Sequence, residues 1–260
     1  MSFIVSEGTT TLKKYVPDDS DTFPFESVVC DVTVPGTFTT IGKEAFYEAY
    51  NVRSVIIEEG VSKIGDSAFC GCSIESISLP QSLEEIGYDA FGHCTKLKEL
   101  VLPDNLKKLG KAPFANCPFN IIVSENNNHF KTIDGNFLSK DGKKFIHYPT
   151  NCERKTYTVP EGTQVICELA FAWNEHITEI VLPDSVKEIK GGAFASCNAL
   201  EKIIIPATVK KIALEFDIMD TFDAMSSWYP DKRETFLIEA PKDSYAIEFA
   251  KEHNIKYIEK

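Results

Sequence analysis

Apolar and polar positions along this chain recur with a period near 23 residues. Ile41-Gly42-Lys43-Glu44-Ala45-Phe46 returns as Ile64–Phe69, Ile86–Phe91 and Leu109–Phe114, then after a longer interval as Ile166–Phe171 and Ile189–Phe194. The phenylalanines closing these segments are 23, 22, 23, 57 and 23 residues apart. A second marker keeps the same beat. Pro35, Pro80, Pro103, Pro160, Pro183 and Pro206 each end a short apolar run such as Leu100-Val101-Leu102, and Glu58 and Asn126 fill the slot where proline is absent. The interval from Asn126 to Pro160 is 34 residues, so one coil carries an insertion of 11. A ninth coil is expected to close at Pro241.

Each symbol of the period predicts an element. Leu97, Leu100 and Leu102 end in the alternation of a half-buried strand. Proline ends that strand because it cannot donate to a ladder. Gly42, Gly65, Gly87 and Gly110 are read as tight corners that use the conformational freedom of glycine. The phenylalanine fills the space between coils. One unit cannot bury this much apolar surface alone, whereas stacked units can, so the pattern predicts a solenoid.

The unit Cys-x-x-Leu-x-x-Ile-x-Leu-Pro-x-x-Leu-x-x-Ile-Gly-x-x-Ala-Phe resembles the BspA-like (Treponema-type) leucine-rich repeats. Cys94 to Gly110 follows it almost position by position, and the similarity covers roughly residues 30–212. The expected fold is α/β: a right-handed leucine-rich-repeat solenoid of about nine coils, with a concave parallel β-sheet, a hairpin insertion and terminal caps. Such a match speaks to fold more than to function.

The expected organisation is one continuous solenoid domain. Residues 1–29 read as an N-terminal hairpin cap, with Phe3–Gly8 and Leu12–Pro17 as two strands around a Gly turn. Residues 30–126 are repeats. Residues 127–160 form a hairpin insertion coil, with Asn136–Ser139 and Lys144–Tyr148 joined through Asp141-Gly142. Residues 161–212 are repeats again, and 213–260 are a C-terminal cap. In that cap a loop containing Ser226–Asp231 leads to a strand near Thr235–Ile238. A helix N-capped by Ser244 then runs through Glu252, with Tyr245, Ala246, Phe249 and Ala250 on one stripe, before a return strand at Ile255–Ile258.

Candidate chemistry changes this picture little. Four of the eight cysteines (Cys72, Cys94, Cys117 and Cys197) share one repeat slot, where Ala49 and Asn174 stand in other coils. They are expected as a column of small, reduced, buried thiols, because a column repeats one side-chain direction and disfavours bridging. Cys70-Gly71-Cys72 lacks the second ligand pair that zinc requires. His93, His129, His147, His176 and His253 fall in no ligating motif. Asp217, Asp220 and Asp223 lack the spacing of a calcium loop. Neither a nucleophile elbow nor a phosphate-binding loop is present. No catalytic residue, metal or cofactor is therefore assigned, and the chain is read as no enzyme.

With 27 Lys+Arg against 39 Asp+Glu the net charge is −12, which argues against nucleic acid or an anionic membrane surface as partner. No run approaches the ~18 uncharged apolar residues of a membrane span. Met1–Val5 lacks the basic and apolar regions of an export signal. The chain as written reads as cytoplasmic if complete, and as secreted or surface-bound if a leader precedes it. Oligomeric state is not encoded in any of these patterns.

What remains is a surface. If Leu100 and Leu102 point inward, Glu99 and Val101 point outward. The same rule turns Ser54 and Ile56, Ser76 and Ser78, Asn120 and Ile122, Glu179 and Val181, and Lys202 and Ile204 outward. One row then reads Ile56, Ser78, Val101, Ile122, Val181, Ile204, an apolar stripe on the concave sheet. Strand propensity alone accounts for β-branched residues there; an exposed apolar patch equally marks an interaction site. The leading reading is non-catalytic binding of another protein through this face. The family resemblance implies bacterial surface adhesins that bind host or bacterial proteins. The alternative is a passive scaffold, or an intracellular interaction module without a dedicated ligand.

Overall fold

The fold was obtained as a computed structural model, in which residues 2–4, 11–12, 29–213 and 236–260 are described. The chain divides into two compact units, Met1–Gly135 and Asn136–Lys260, which share about nine turns of β-solenoid. The division falls inside the expected insertion coil.

In unit 1 each turn of the solenoid supplies one longer and one short strand. In chain order these are β1 (Ser2–Ile4), β2 (Thr11–Leu12), β3 (Cys30–Val34), β4 (Thr40–Ile41), β5 (Val52–Ile57) and β6 (Lys63–Ile64). They continue as β7 (Ser76–Ser78), β8 (Glu85–Ile86), β9 (Glu99–Leu102), β10 (Lys108–Leu109), β11 (Asn120–Val123) and β12 (Phe130–Ile133). The longer strands pair in parallel as β1-β3-β5-β7 and β9-β11, and the short ones as β2-β4-β6-β8-β10. The expected N-terminal hairpin is thereby corrected. β1 and β2 pair not with each other but in parallel with β3 and β4, in two different sheets. Backbone edges exposed by the first full repeat outcompete the local hairpin.

Unit 2 contains β13 (Asn136–Ser139), β14 (Lys144–His147), β15 (Thr156–Thr158), β16 (Val165–Ile166), β17 (Glu179–Val181), β18 (Glu188–Ile189), β19 (Lys202–Ile204) and β20 (Lys211–Ile212). It closes with β21 (Leu237–Ala240), helix α1 (Tyr245–Glu252) and β22 (Lys256–Glu259). β13 and β14 are antiparallel, the Asp141-Gly142 hairpin read from the sequence. β14 then enters the short-strand sheet β14-β16-β18-β20, while the longer strands order as β15-β17-β19-β21-β22. The solenoid's α content is small. α1 is the one helix among the described residues, and the side opposite the longer strands is built from turns.

Those turns follow one backbone rule. In the first full coil the N–H groups of Glu44, Phe46 and Glu48 donate to the carbonyls of Asp66, Ala68 and Cys70 in the next coil, at 2.8, 2.7 and 2.8 Å. Ser67, Phe69 and Gly71 repeat this onto Tyr88, Ala90 and Gly92, and in unit 2 Leu169, Phe171 and Trp173 do so onto Gly191, Ala193 and Ala195. Turning every second peptide toward the neighbour requires left-handed residues. Glu44 (φ 56°), Glu48 (54°), Ser67 (51°), Asp89 (49°), His93 (58°), Leu169 (54°) and Trp173 (62°) adopt that conformation, mostly without glycine. The corner glycines have another role. None of Gly42, Gly65, Gly87 and Gly110 has positive φ. A Cβ on Gly110 would lie 2.3 Å from the Tyr88 nitrogen and 2.4 Å from the Gly87 carbonyl carbon. Glycine is selected there by the contact between coils, not by dihedral freedom.

The core is a column of rings. Phe46, Phe69, Phe91 and Phe114 stack at 5.0, 5.3 and 6.1 Å in unit 1, and Phe171 and Phe194 at 5.3 Å in unit 2. Phe145, absent from the repeat pattern, extends the second column at 4.7 Å from Phe171, delivered by hairpin strand β14. Cross-coil ion pairs such as Lys63–Glu85 (2.7 Å) and Lys211–Glu188 (2.9 Å) run along the short-strand sheets.

The C-terminal strand, helix and return strand occupy nearly the expected residues. The helix stripe is turned by one position: Ala246, Ile247, Phe249 and Ala250 are buried, while Tyr245 is only half-buried. Ser244 occupies the N-cap with an extended backbone, but its side chain makes no cap bond. In register the inward column Tyr157, Ile180, Ile203, Ile238 ends at Tyr257, which is 41% exposed. Lys251 covers that ring at 5.2 Å and pairs with Glu259 at 3.1 Å. A charged lid on the last strand both seals the column and blunts an otherwise open edge. The expected loop Ser226–Asp231 and Asp217, Asp220 and Asp223 lie outside the described residues.

Candidate functional site

The outward residues lie on the longer strands of unit 1 and of unit 2. In unit 1 the register aligns Asp31, Ser54 and Ser76 in one row and Thr33, Ile56 and Ser78 in the next. In the separate β9-β11 ladder Glu99 pairs with Asn120 and Val101 with Ile122. Ile56, Val101 and Ile122 are 53, 54 and 43% exposed, values rarely tolerated for aliphatic side chains standing together. Ser76, Ser78 and Glu99 are also exposed, and Ser54 is half-buried. In unit 2, Thr156, Glu179 and Lys202 form one row and Thr158, Val181 and Ile204 the other. Val181 and Ile204 are only half-buried, so the second face is flatter in apolar content. Thr33 and Thr158, which complete the rows, were missed because their coils fit the repeat least well.

Electrostatics differ between the rows. Arg53 binds Asp31 through two bonds, Nη2–Oδ2 at 2.6 Å and Nε–Oδ1 at 3.1 Å, and the Ser54 hydroxyl donates to the same carboxylate at 2.6 Å. Together, the arginine foremost, they hold the Asp31 carboxyl down to about 2. Glu179 and Lys202 pair at 2.7 Å, which raises the lysine.

The rims of the unit 1 face are polarised. The turns after β3, β5, β7, β9 and β11 carry Glu58, Glu59, Glu84, Asp104 and Glu125 and one lysine, Lys107, which pairs with Glu84 at 2.7 Å. Glu59 accepts the backbone N–H groups of Gln81 and Ser82 at 2.7 and 2.9 Å, which lower its pKa. Glu58 accepts that of Gly36 at 3.2 Å. At the opposite strand ends stand exposed Lys96, Lys98 and Glu75 and the paired Arg53.

The cysteine slot is structural in geometry. The thiols of Cys72, Cys94, Cys117 and Cys197 are buried and donate to the carbonyls of Phe46, Phe69, Phe91 and Phe171, one coil earlier, at 2.7, 3.1, 2.9 and 3.0 Å. Burial pushes all four upward, Cys72 and Cys197 to about 12. All eight cysteines are free. Cys70 donates to Asp89 at 3.2 Å. Asn174 fills the slot by a fuller bond set: its Nδ2 donates toward Pro149, Thr150 and Cys152 carbonyls, and its Oδ1 accepts the N–H groups of His176 and Ile177. Asn127, which the repeat pattern left unremarked, does the same with Pro103, Leu106, His129 and Phe130. Among the described residues no three His, Cys, Asp or Glu side chains converge as a metal site, and no helix is long and apolar enough to cross a membrane.

The periodic corners, ring column and thiol ladder are those of a leucine-rich-repeat solenoid. The chain belongs to the BspA type leucine rich repeat region family, whose profile matches residues 20–142 and 148–216 in six copies. Two solved structures share the fold. One is the pneumococcal vaccine antigen PcpA, with 20% identity, a TM-score of 0.61, and coverage of 100% of this chain and 89% of that one. The other is a leucine-rich repeat protein from Eubacterium ventriosum, with 18% identity, a TM-score of 0.68, and coverage of 93% and 68%. No curated protein matches the chain.

Proposed function

We propose that this chain is a non-catalytic protein-binding module that engages another protein through the outer face of its longer-strand sheet, chiefly in unit 1. The observation that carries the reading is the group Ile56, Val101 and Ile122, three aliphatic side chains about half exposed on one face. The inward residues of the same strands form the core, so these three add nothing to it, and an exposed apolar group of this kind marks an interaction site. A surface role resembling that of bacterial adhesins is supported by the family and by a fold shared with a vaccine antigen.

Val101→Asp combined with Ile122→Asp places two charges in the patch without touching the core. Thermal stability should hardly change, since both side chains face solvent. Affinity for a partner recovered by cross-linking with the unaltered chain should fall at least tenfold, about 1.4 kcal/mol. Undiminished binding by the folded double variant refutes the assignment of this face. Recovery of no partner under any condition favours the passive-scaffold reading.

A further inference from the structure

We infer that the unit 1 face is shaped and charged for an amphipathic helix carrying lysine or arginine along one edge. This inference rests on the binding reading above and specifies its partner.

The shape argument comes from spacing. Ile56 to Ser78 and Val101 to Ile122 each step across one pair of neighbouring strands, a distance of about 4.8 Å. Apolar side chains on one stripe of an α-helix recur once per turn, at about 5.4 Å. A helix laid across the strands therefore keeps step with each of these pairs. An extended segment presents side chains on one face every two residues, about 6.6 Å apart, and loses step within two strands. Ser78 stands beside Ile56 in register, a small side chain next to a large one, and leaves a dip for a bulky residue of the helix.

The charge argument comes from the rims. The apolar row lies nearer the C-terminal strand ends, beside Glu58, Glu59, Asp104 and Glu125, where the turns' one lysine, Lys107, is already paired with Glu84. Glu58 and Glu59 are fixed by backbone N–H groups, so part of this field is preorganised. A helix seated on the row lays one edge against that rim. Lysine or arginine on that edge meets complementary charge, and rim charges of this kind act mainly on the rate of encounter.

The test uses the full chain and two synthetic helices of about 15 residues, acetylated and amidated, long enough to hold helical structure. Both carry leucine along one stripe; one has lysines along a flanking edge, and the other has glutamine at those positions. Stopped-flow anisotropy at low salt should show about tenfold faster association for the lysine peptide, with the difference closing as salt rises. Asp104→Asn with Glu125→Gln should bring the lysine peptide close to the glutamine rate. Equal rates with the unaltered chain, a difference that survives in the rim variant, or binding of neither peptide overturns the inference. The patch variant separates the two claims. If Val101→Asp with Ile122→Asp still binds the lysine peptide fully, the face itself is wrong. If that variant abolishes binding while lysine and glutamine peptides bind the unaltered chain alike, the face stands and only the charge preference fails.

Discussion

Truncating Phe91 to alanine tests the central packing claim. The ring is fully buried and stacked on both sides, 5.3 Å from Phe69 at 8° and 6.1 Å from Phe114 at 27°. Removing it deletes one core aromatic and opens a cavity that neighbouring coils can close only by breaking their own hydrogen bonds. Phe→Ala changes of this kind cost about 3–5 kcal/mol, including roughly 0.5–1.5 for each aromatic pair. Phe46→Ala should cost less, because that ring is only half-buried. With a urea slope of about 3 kcal/mol/M, the Phe91 variant should lose about 1 M or more in midpoint. The assay is urea unfolding followed by circular dichroism and tyrosine fluorescence, since two units need not melt together. An unchanged midpoint for Phe91→Ala removes the ring column as the main support of unit 1.

Three further outcomes follow from particular contacts. Native thiol labelling should leave Cys72, Cys94, Cys117 and Cys197 slow at pH 7 and still slow at pH 9, because burial holds Cys72 and Cys197 near 12; rapid labelling of any of the four contradicts the shielded ladder. Gly110→Ala should destabilise the chain by about 1–3 kcal/mol although its φ is ordinary, as the added Cβ meets the backbone of the previous coil; a neutral melting shift would mean the coils have room to part. Asp31 titrates near 2 against an ordinary value of 3.8, so its contribution is fully present above about pH 4 and is lost as pH falls through 2; Asp31→Asn should flatten acid unfolding in that window, and an unaltered acid profile counts against the Arg53 pair.

Much of the fold is periodic, and periodicity is local information. The 23-residue beat, the strand alternation, the inward Phe and Cys positions, the Asp141-Gly142 hairpin and the final helix and strand were all legible, because each depends on spacing within one coil. So was the outward direction of Ser54, Ile56, Ser76, Ser78, Glu99, Val101, Ile122, Glu179, Val181, Lys202 and Ile204, which follows from the two-residue pleat alone. Distances between coils are not written in any one coil. Only the tertiary structure shows that Gly110 is glycine because Tyr88 and Gly87 press on it, and that left-handed backbone falls two residues later on residues such as Asp89. Only the tertiary structure sends β1 and β2 to separate sheets, since an open ladder edge competes with a local turn. The same holds for the candidate face. Sequence assigned five aliphatic residues the same outward direction, but the stacking of the coils left Ile56, Val101 and Ile122 of unit 1 more exposed than Val181 and Ile204 of unit 2. Exposure depends on what neighbouring coils cover, and that is settled only when the coils stack.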